Sequence, residues 1–475
     1  MMSAYLMRSG LNPSRQFSAA ASTFFKCSKA TLQKSAASTS FSKNSQASVS
    51  LSRFPGLRTI TTGNNTGIVG QRAEPASNPE GIVSACFQRI SLLGDEWMLE
   101  ARWKDGFRSK YPYIWLRDNC QCPSCFCPSS ASRRVLLRDL DPSIVPVSFT
   151  TSEDSGDLEI LWSDGHRGLY MSDWLRERSF SEDTRERRRL IRSPPRTLWG
   201  SDILSDLPVA NFHDVLREDE ALLELIQKLE ALGLVIVQDT PLQQEAIFTL
   251  TNRLGYIKQT HYGVTFVVKS RVSPNNLAYT ADSLDMHSDI PYFEYKPGIQ
   301  LLHCISQAKG TGGSNNLVDS FNVARQLQEL DLEKFQILTT VPVDFIDHGV
   351  EEDGLNFYAL AKHPLIRLDK NGEVQAVTLN QMVRDSFFPV SVEKVRPWYE
   401  AMVTYYRMLL HPNNVISYKM KEGYILVFDN QRVLHGREGY LVTEGTRELH
   451  GCYWDWDMVR SCRRVLQRKL GILKT

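Results

Sequence analysis

The chain has no excess of charge of either sign, no long apolar run and no internal repeat. Its 55 Lys and Arg balance 54 Asp and Glu, which argues against a nucleic-acid binder whose affinity comes from phosphate neutralisation. No stretch approaches the roughly 20 consecutive apolar residues that cross a bilayer, so we expect a soluble protein without a membrane span, whose partners are small molecules. With 475 residues, the chain is too long for one ordinary domain of about 100–200 residues.

Acidic residues are also missing from the beginning of the chain, where the first is Glu74. Eight Lys or Arg lie from Arg8 to Arg58, and fourteen Ser precede Arg53. A Ser-rich, basic and acid-free start is typical of a mitochondrial transit peptide. We therefore expect residues 1–75 to be a transit peptide for the mitochondrial matrix. The alternative is a disordered tail without an address, on a cytoplasmic protein.

Four of the nine cysteines lie within NCQCPSCFCP, at Cys120, Cys122, Cys125 and Cys127. In a long chain without a secretory signal, metal binding is favoured over disulfides. The first three form a C-x-C-x-x-C knuckle, and a short β-meander would bring His166 close as a fourth ligand. We therefore predict a closed Cys3His site for structural zinc. Two alternatives stay open: Cys127 competes for a ligand position, or the thiols are surface residues of a Pro-rich loop.

Hydrophobic patterning divides the rest of the chain. Residues 80–180 contain short alternating runs such as LEILWSDGHRGLY, which predict a small β-rich domain. Residues 181–204 combine charged residues with Pro-Pro and predict a solvated helix and a linker. From residue 205 to 475 an amphipathic helix leads into a buried strand, and YILVFDNQRVLHG and ELHGCYWDWDMV predict strands joined by turns. The expected fold class is mainly β with helices, with an antiparallel jelly-roll core.

A histidine and an aspartate stand two positions apart in DMHSDIPYF. In an extended strand, His287 and Asp289 leave the backbone on the same face and converge on one point. His435 lies far along the chain, just beyond an apolar run. Two His and one carboxylate form the facial triad of non-haem iron(II) oxygenases, which leaves positions open for a cosubstrate and dioxygen. The competing histidines are His303 and His450, which we expect to be polar residues satisfied within strands.

A bidentate 2-oxo acid on such a metal needs its far carboxylate held. Arginine is suited to this because its planar guanidinium donates two parallel charge-assisted hydrogen bonds. Arg447 follows His435 closely, and we expect it across one hairpin from that histidine. A lone Arg in a hairpin is more often a surface residue, and only its combination with the triad favours cosubstrate binding.

These motifs resemble those of the γ-butyrobetaine dioxygenase and trimethyllysine dioxygenase family, the 2-oxoglutarate-dependent hydroxylases of carnitine synthesis. WLRDNCQCPSC is similar to the opening of the family's zinc domain, NNLAYTADSLDMHSDIP to its first iron-binding segment, PGIQLLHC and GTGG to the strand and turn that follow, and FDNQRVLHGR to the segment of the distal histidine. The resemblance covers residues 95–470. It implies a double-stranded β-helix core, iron(II) on the triad, 2-oxoglutarate on Arg447, zinc on the Cys3His set and ascorbate as reductant.

The resemblance also implies a substrate pocket. The family's substrates carry a quaternary ammonium, which the faces of aromatic rings attract, and the matching positions are Tyr262, Phe266, Tyr279 and Tyr453. Asn276 and Asn380 match residues that bind the substrate carboxylate. Two positions depart from the family pattern. Phe266 stands where the butyrobetaine enzyme has Trp, which would weaken the cage, and Gln431 replaces the Trp of FDNWR.

The expected activity is hydroxylation of γ-butyrobetaine to L-carnitine with consumption of dioxygen. NNLAYT, the Pro after HSDI, the complete knuckle and YWDWD are more similar to γ-butyrobetaine dioxygenase. The alternative is a trimethyllysine dioxygenase that makes 3-hydroxy-trimethyllysine, which a mitochondrial address suits. An alternative of another class is a non-catalytic binding module on a degenerate barrel, against which the intact triad argues. The oligomeric state is left open, with a homodimer as one alternative.

Overall fold

The structure of the protein is a computed structural model that describes residues 86–152, 156–270, 277–350, 354–442 and 445–473. By contacts, the chain divides into two units, Met1–Glu80 and Gly81–Thr475. The predicted transit peptide, residues 1–75, lies outside the described residues. All elements below belong to the second unit.

The N-terminal part of this unit is built from small antiparallel sheets and short helices. One sheet has the order β1-β2-β3 and another the order β6-β7-β8, while β4 and β5 form a two-stranded ribbon. The elements are β1 (Phe87–Leu93), β2 (Met98–Trp103), β3 (Arg108–Pro112), α1 (Tyr113–Asp118), β4 (Phe126–Cys127), β5 (Ser132–Arg133), β6 (Pro146–Thr151), β7 (Leu158–Trp162), β8 (Arg167–Tyr170), α2 (Ser172–Glu177) and α3 (Glu182–Arg192). Their apolar residues, among them Trp103 and Trp162, form a hydrophobic core of their own.

The C-terminal part contains two larger sheets and flanking helices. Its elements are β9 (Val209–Asn211), α4 (Phe212–Arg217), α5 (Asp219–Leu232), β10 (Leu234–Gln238), α6 (Glu245–Leu254), β11 (Phe266–Lys269), β12 (Leu284–His287), β13 (Ile299–Ser306), β14 (Asn315–Asp319), α7 (Ser320–Leu330), α8 (Leu332–Thr340), β15 (Pro342–Val350), β16 (Asn356–Pro364), β17 (Ile366–Leu368), β18 (Val374–Val377), α9 (Val392–Leu409), β19 (Val415–Tyr418), β20 (Ile425–Asp429), β21 (Val433–Arg437), β22 (Glu448–Trp454) and α10 (Trp456–Lys469).

The two larger sheets pack against each other between layers of helices. The six-stranded sheet has the order β11-β22-β13-β20-β10-β9 and the four-stranded sheet the order β12-β21-β14-β19. Side chains alternate along each strand, so Leu426 and Phe428 of β20 pack toward the four-stranded sheet, while Ile425 and Val427 pack against α5, α6 and α10. On the far side, the four-stranded sheet packs against α7, α8 and α9. The predicted mainly β architecture with helices is therefore present.

Several local predictions agree with this structure. The amphipathic segment after residue 205 forms α5, which ends at Gly233 in a left-handed conformation with φ +79°, and the buried strand β10 follows. The charged stretch after residue 180 forms α3, which has no buried residue. No described helix is long and apolar enough to cross a membrane.

Two local predictions were wrong. The end of ELHGCYWDWDMV is not a strand, because α10 begins at Trp456 immediately after β22. His303 is not a satisfied polar residue: it is fully buried, and neither ring nitrogen has a hydrogen-bond partner among the described residues. Burial lowers the pKa of His303 to about 4, so its ring is neutral. His450, in contrast, has Glu448 as a partner at 2.9 Å.

A buried ion pair connects the four-stranded sheet to the helices. Arg432 Nε donates to Asp319 Oδ1 at 3.0 Å and Arg432 Nη2 to Asp319 Oδ2 at 2.7 Å. The same guanidinium donates to the carbonyls of Thr197 and Ala231. Asp319 also caps α7, because its Oδ1 accepts from the amide of Phe321 at 3.1 Å. The pair therefore holds together four segments that are distant in the sequence, around residues 197, 231, 319 and 432.

We predict that Arg432→Met lowers the free energy of unfolding by about 3–5 kcal/mol, because Asp319 would remain buried without its partner. Chemical denaturation monitored by circular dichroism measures this loss. Arg396→Met is the matched control, since the pair of Arg396 with Glu400 lies at the surface and such pairs contribute about 0–1 kcal/mol. Equal losses in the two variants would contradict the structural role of Arg432.

Candidate active site and zinc site

A cavity of about 290 Å³ lies where the inner faces of the two larger sheets meet. The four-stranded sheet contributes His287 from β12 and His435 from β21, and the six-stranded sheet contributes Gln300 from β13 and Tyr453 from β22. The cavity therefore collects residues that are far apart in the sequence.

The three predicted triad residues converge in this cavity. His287 and His435 are cross-strand partners in β12 and β21. The Nε2 atoms of these histidines lie 3.3 and 3.7 Å from Asp289 Oδ1, respectively. Asp289 itself follows β12 rather than continuing it, so the expectation that both residues sit in one extended strand was only half right. The aspartate approaches from the turn after the strand.

The donor atoms of this cluster suit a metal cation. His287 Nδ1 donates to the carbonyl of Asp285 at 2.8 Å, which leaves Nε2 as the atom directed at Asp289. Burial, and after it the neighbouring His287, lower the pKa of His435 to about 3, so that ring is neutral. Burial raises the pKa of Asp289, but the adjacent imidazoles and the hydrogen bond from Tyr453 outweigh this effect, so the pKa lies below its usual value and the carboxyl is ionised. Lone pairs that converge in this way repel one another unless a cation lies between them.

One side-chain hydrogen bond defines how Asp289 presents its carboxylate. Tyr453 Oη donates to Asp289 Oδ2 at 2.7 Å. Oδ1 is then the oxygen left facing the two histidines, which corresponds to one ligand atom from this residue. Partners of this kind orient metal ligands and fix their charge.

Asn430 holds the backbone of Asp289 from the other side. Its Oδ1 accepts from the Asp289 amide at 2.7 Å, and its Nδ2 donates to the Asp289 carbonyl at 3.0 Å. The next residue, Ile290, has φ +53°, a left-handed conformation that is unfavourable for a β-branched side chain. We infer that the Asn430 amide offsets part of this strain and keeps the aspartate turned toward the histidines.

Arg447 lines the same cavity but is not placed as expected. It precedes β22 in the six-stranded sheet, whereas His435 lies in β21 of the four-stranded sheet. The expectation of one hairpin was therefore wrong, because β21 and β22, the strands next to the two residues, belong to different sheets. Arg447 is buried, and burial lowers its pKa to about 10, so it stays charged at neutral pH.

Asn315 of β14 is the partner of this arginine. Arg447 Nη2 donates to Asn315 Oδ1 at 2.8 Å, and Nε donates to the Gly313 carbonyl at 3.2 Å. Asn315 Nδ2 is buried and has no partner among the described residues. A buried amide donor without a partner costs free energy, and beside a buried arginine it can bind the oxygen of an anion.

All four predicted cage residues line the cavity, namely Tyr262, Phe266, Tyr279 and Tyr453. The Phe266 and Tyr453 rings stack with centroids 5.1 Å apart. Phe266 also lies over Gly451, its cross-strand partner: a Cβ on that glycine would meet the ring at 2.2 Å. The aromatic ring therefore fills a space that only a glycine leaves open.

The other predicted substrate residues have different outcomes. Asn380 is buried, lines the cavity, and donates from Nδ2 to the Ser288 carbonyl at 3.4 Å. Asn276 lies outside the described residues. Gln431 is not among the residues that line the cavity, and its carbonyl accepts from Val377 at 2.8 Å. The departure at Gln431 therefore falls away from the cavity.

Sequence reasoning missed four residues of the site, which are Asn315, Tyr292, Asp347 and Asn430. Asn315 and Asp347 reach the cavity from other strands, and Asn430 holds the Asp289 backbone without lining the cavity. Tyr292 stands three positions after Asp289, within DMHSDIPYF. The available signal for Asn430 was the Asp-Asn of FDN, upstream of His435. Two polar residues between two apolar strand-like runs indicate a turn.

The cysteine knuckle and His166 also converge. His166 Nε2 lies 3.3 Å from Cys120 Sγ, 3.6 Å from Cys122 Sγ and 3.3 Å from Cys125 Sγ. Tetrahedral zinc with bonds of about 2.3 Å to sulfur and about 2.0 Å to nitrogen requires separations of about 3.5 Å. The donor set and its spacing therefore fit zinc, whereas Cys127 Sγ contacts Ser129 instead.

Local turns position these four ligands. His166 stands in the turn between β7 and β8, as the predicted meander requires. Its amide donates to Asp164 Oδ1 at 2.9 Å, and Gly165 adopts φ +80°. Burial raises the pKa of Cys122, but hydrogen bonds from Ser124 and the neighbouring cysteines outweigh it and lower the value to about 7. A thiol with such a pKa readily supplies the thiolate that a metal binds.

Known protein families match both parts of the chain. Residues 192–453 match the family described as Taurine catabolism dioxygenase TauD, TfdA family. The chain belongs to this dioxygenase family. Residues 90–176 match a second family, described as Gamma-butyrobetaine hydroxylase-like, N-terminal.

Individual family members are similar over most of the chain. A γ-butyrobetaine dioxygenase from Homo sapiens is 36% identical over 389 residues, which are 81% of this chain and 99% of the relative. A γ-butyrobetaine dioxygenase from Pseudomonas sp. (strain AK-1) is 32% identical, with 77% and 93% covered. A mitochondrial trimethyllysine dioxygenase from Rattus norvegicus is 33% identical, with 75% and 83% covered. Within the family, the chain therefore groups with the γ-butyrobetaine and trimethyllysine dioxygenases.

We predict that Cys122→Ser lowers zinc content and thermal stability together, because zinc binding contributes to the folding free energy of the sheets around it. Atomic emission on the purified variant and a thermal melt measure the two quantities. Cys127→Ser is the matched control and should keep about one zinc per chain. A Cys122→Ser variant with full zinc content would exclude this ligand set.

Proposed function

We propose that this protein is a γ-butyrobetaine dioxygenase, which converts γ-butyrobetaine, 2-oxoglutarate and dioxygen into L-carnitine, succinate and carbon dioxide. Membership of the TauD, TfdA family supports the class of reaction. The observation that carries the proposal is a single cavity whose lining includes two histidines and an aspartate, the buried Arg447 and the four predicted cage rings. These groups suit a metal, an anionic cosubstrate and a quaternary ammonium, respectively.

We further propose that the two larger sheets form the double-stranded β-helix of a 2-oxoglutarate dioxygenase domain over residues 205–475. Residues 80–180 would be a zinc-binding domain and residues 181–204 the linker. The two separate hydrophobic cores support this division, as does the separate family match of residues 90–176. The zinc would be structural, because four protein ligands leave no open position.

His287, Asp289 and His435 would hold iron(II). Bound there with 2-oxoglutarate, iron(II) supplies the activation of dioxygen that hydroxylation of a C–H bond requires. The protein keeps the His435 imidazole neutral and the Asp289 carboxylate ionised, as a cation needs. Tyr453 and Asn430 restrain Asp289, so that the three donor atoms stay in one arrangement through the reaction.

Arg447 and Asn315 would bind the distal carboxylate of 2-oxoglutarate. The guanidinium is buried and charged, and the Asn315 Nδ2 adds a second donor. A charge-assisted pair in a buried site is strong and directional. It would select a dicarboxylate 2-oxo acid over a monocarboxylate.

The substrate would be held at its two ends. The four aromatic rings would contact the trimethylammonium group through cation–π attraction, and Asn380 would donate to the carboxylate. Asn276 stays a prediction for the same role. Holding both ends brings one methylene to the metal, which is how an enzyme fixes the carbon that reacts.

Trimethyllysine is the second candidate substrate. The rat relative that is 33% identical is a mitochondrial trimethyllysine dioxygenase, and the basic, acid-free start of this chain supports the mitochondrial matrix as its location. We favour γ-butyrobetaine because the human γ-butyrobetaine dioxygenase is more similar and is matched over 99% of its length. The homodimer and the use of ascorbate stay predictions.

The decisive test of the function is an assay of both substrates. We expect purified protein with iron(II), 2-oxoglutarate, ascorbate and air to form L-carnitine from γ-butyrobetaine faster than it hydroxylates trimethyllysine, with products identified by mass. Asp289→Ala should abolish succinate formation, whereas Asp206→Ala, which changes an exposed acid outside the cavity, should not. A faster reaction with trimethyllysine would assign the protein to the second activity, and no succinate with either substrate would favour the non-catalytic module.

We predict that Arg447→Met raises the KM for 2-oxoglutarate by about 30-fold or more, equivalent to ~2 kcal/mol, because a buried carboxylate loses its charged partner. Initial rates at varied cosubstrate concentration measure this. The matched control is 2-oxopentanoate, which lacks the distal carboxylate and should support equally slow turnover in both proteins. An unchanged KM for 2-oxoglutarate would place the cosubstrate carboxylate elsewhere.

A further inference from the structure

The cavity is lined by four side chains that are charged at neutral pH: Asp289, Asp347, Arg437 and Arg447. Three of them have strong partners. Asp289 contacts His287 and Tyr453, Arg447 donates to Asn315, and Arg437 donates to the carbonyls of residues 278, 280 and 282. Asp347 accepts a hydrogen bond from Tyr292 and lies near His348, but no described Lys or Arg forms an ion pair with it. A half-buried carboxylate without a cation is unfavourable, which points to a ligand.

Asp347 lies on the aromatic side of the cavity. It belongs to β15 and is adjacent to the hydroxyl of Tyr292. The Tyr292 hydroxyl in turn lies 3.2 Å from the Tyr262 hydroxyl and 3.1 Å from His261 Nε2. The carboxylate is thus connected to the predicted cage through one tyrosine.

Electrostatics give the same picture. Burial raises the pKa of Asp347 and outweighs the opposing effects of the Tyr292 hydrogen bond and of His348, as expected for an acid removed from water without a Lys or Arg partner. Burial and, in addition, the negative charges of Asp289 and Asp347 raise the pKa of Tyr262 well above its usual range. The negative charge of Asp347 therefore acts on the cage residue Tyr262, and it would attract a cation bound in the cage.

The chemistry of a quaternary ammonium explains why a carboxylate is useful at this place. Such a group has no N–H, so it makes no charge-assisted hydrogen bond and is recognised by aromatic faces and by charge alone. Phe266 supplies a weaker face than the Trp of the family pattern. A nearby carboxylate compensates because Coulomb attraction requires no donor hydrogen.

We propose that Asp347 is the counter-ion of the substrate's quaternary ammonium, and that this residue determines the preference for a charged trimethylammonium group over a neutral group of the same shape. This inference rests on the proposed function, because it assumes that the cavity binds such a substrate. It assigns to Asp347 a role in specificity and none in the reaction at the metal.

The test is the dissociation constant of two isosteric ligands, measured by calorimetry without oxygen on protein loaded with iron(II) and 2-oxoglutarate. γ-Butyrobetaine carries the charge, and 5,5-dimethylhexanoate has a tert-butyl group in its place. Asp347→Asn keeps the shape and the acceptor for Tyr292 but removes the charge. We expect it to weaken γ-butyrobetaine binding about tenfold and to leave 5,5-dimethylhexanoate binding unchanged.

Asp344→Asn is the matched control, because Asp344 lies on the same strand but pairs with Lys362 and is not among the residues lining the cavity. It should leave both constants unchanged. Asp347→Glu should restore most of the charge preference, and thermal melts show whether each variant is folded.

Three results would overturn the inference. They are equal weakening of both ligands in Asp347→Asn, no weakening of either, or loss of charge preference in Asp344→Asn as well. Failure of the proposed function has a different signature, since the unaltered protein would then bind neither γ-butyrobetaine nor trimethyllysine.

Discussion

The short connection between β20 and β21 is the constraint on which the site depends. It carries the chain from the six-stranded sheet to the four-stranded sheet, and two of its side chains bind distant segments. Asn430 holds the backbone of Asp289, and Arg432 pairs with Asp319 at the start of α7. His435 follows in β21 beside His287. The connection therefore positions the proposed metal ligands and joins the two sheets.

The cavity between the sheets is lined by side chains of both charges. Arg447 and Asn315 offer positive charge and amide donors, and Asp347 with its neighbouring tyrosines offers negative charge and aromatic faces. The metal ligands share the same lining. One cavity can thus attract both an anion and a ligand that carries a cation. A reaction between a 2-oxo acid and a quaternary ammonium substrate requires both.

Local sequence patterns carried much of the prediction. Residue type and spacing identified two sets of candidate metal ligands, because only a few residue types bind metals. One is the C-x-C-x-x-C knuckle with His166, and the other is His287, Asp289 and His435. The structure brings each set together. The cage residues came from family resemblance alone, since an aromatic residue within a strand looks the same whether it packs in a core or faces a ligand.

The sequence by itself determined the chemical class of the site and the amphipathic helix after residue 205. It also determined where apolar and polar residues alternate as in a β-strand. Tertiary structure alone decided that Arg447, just before β22, lines the same cavity as His435 of β21. It also decided that Asn430 restrains Asp289 and that Asp347 enters the cavity without an ion-pair partner in the described part of the chain. Residue type and local spacing are properties of a short segment and can be read from it. Partners that meet only when two sheets pack depend on register and on the turn between strands, which no local pattern encodes.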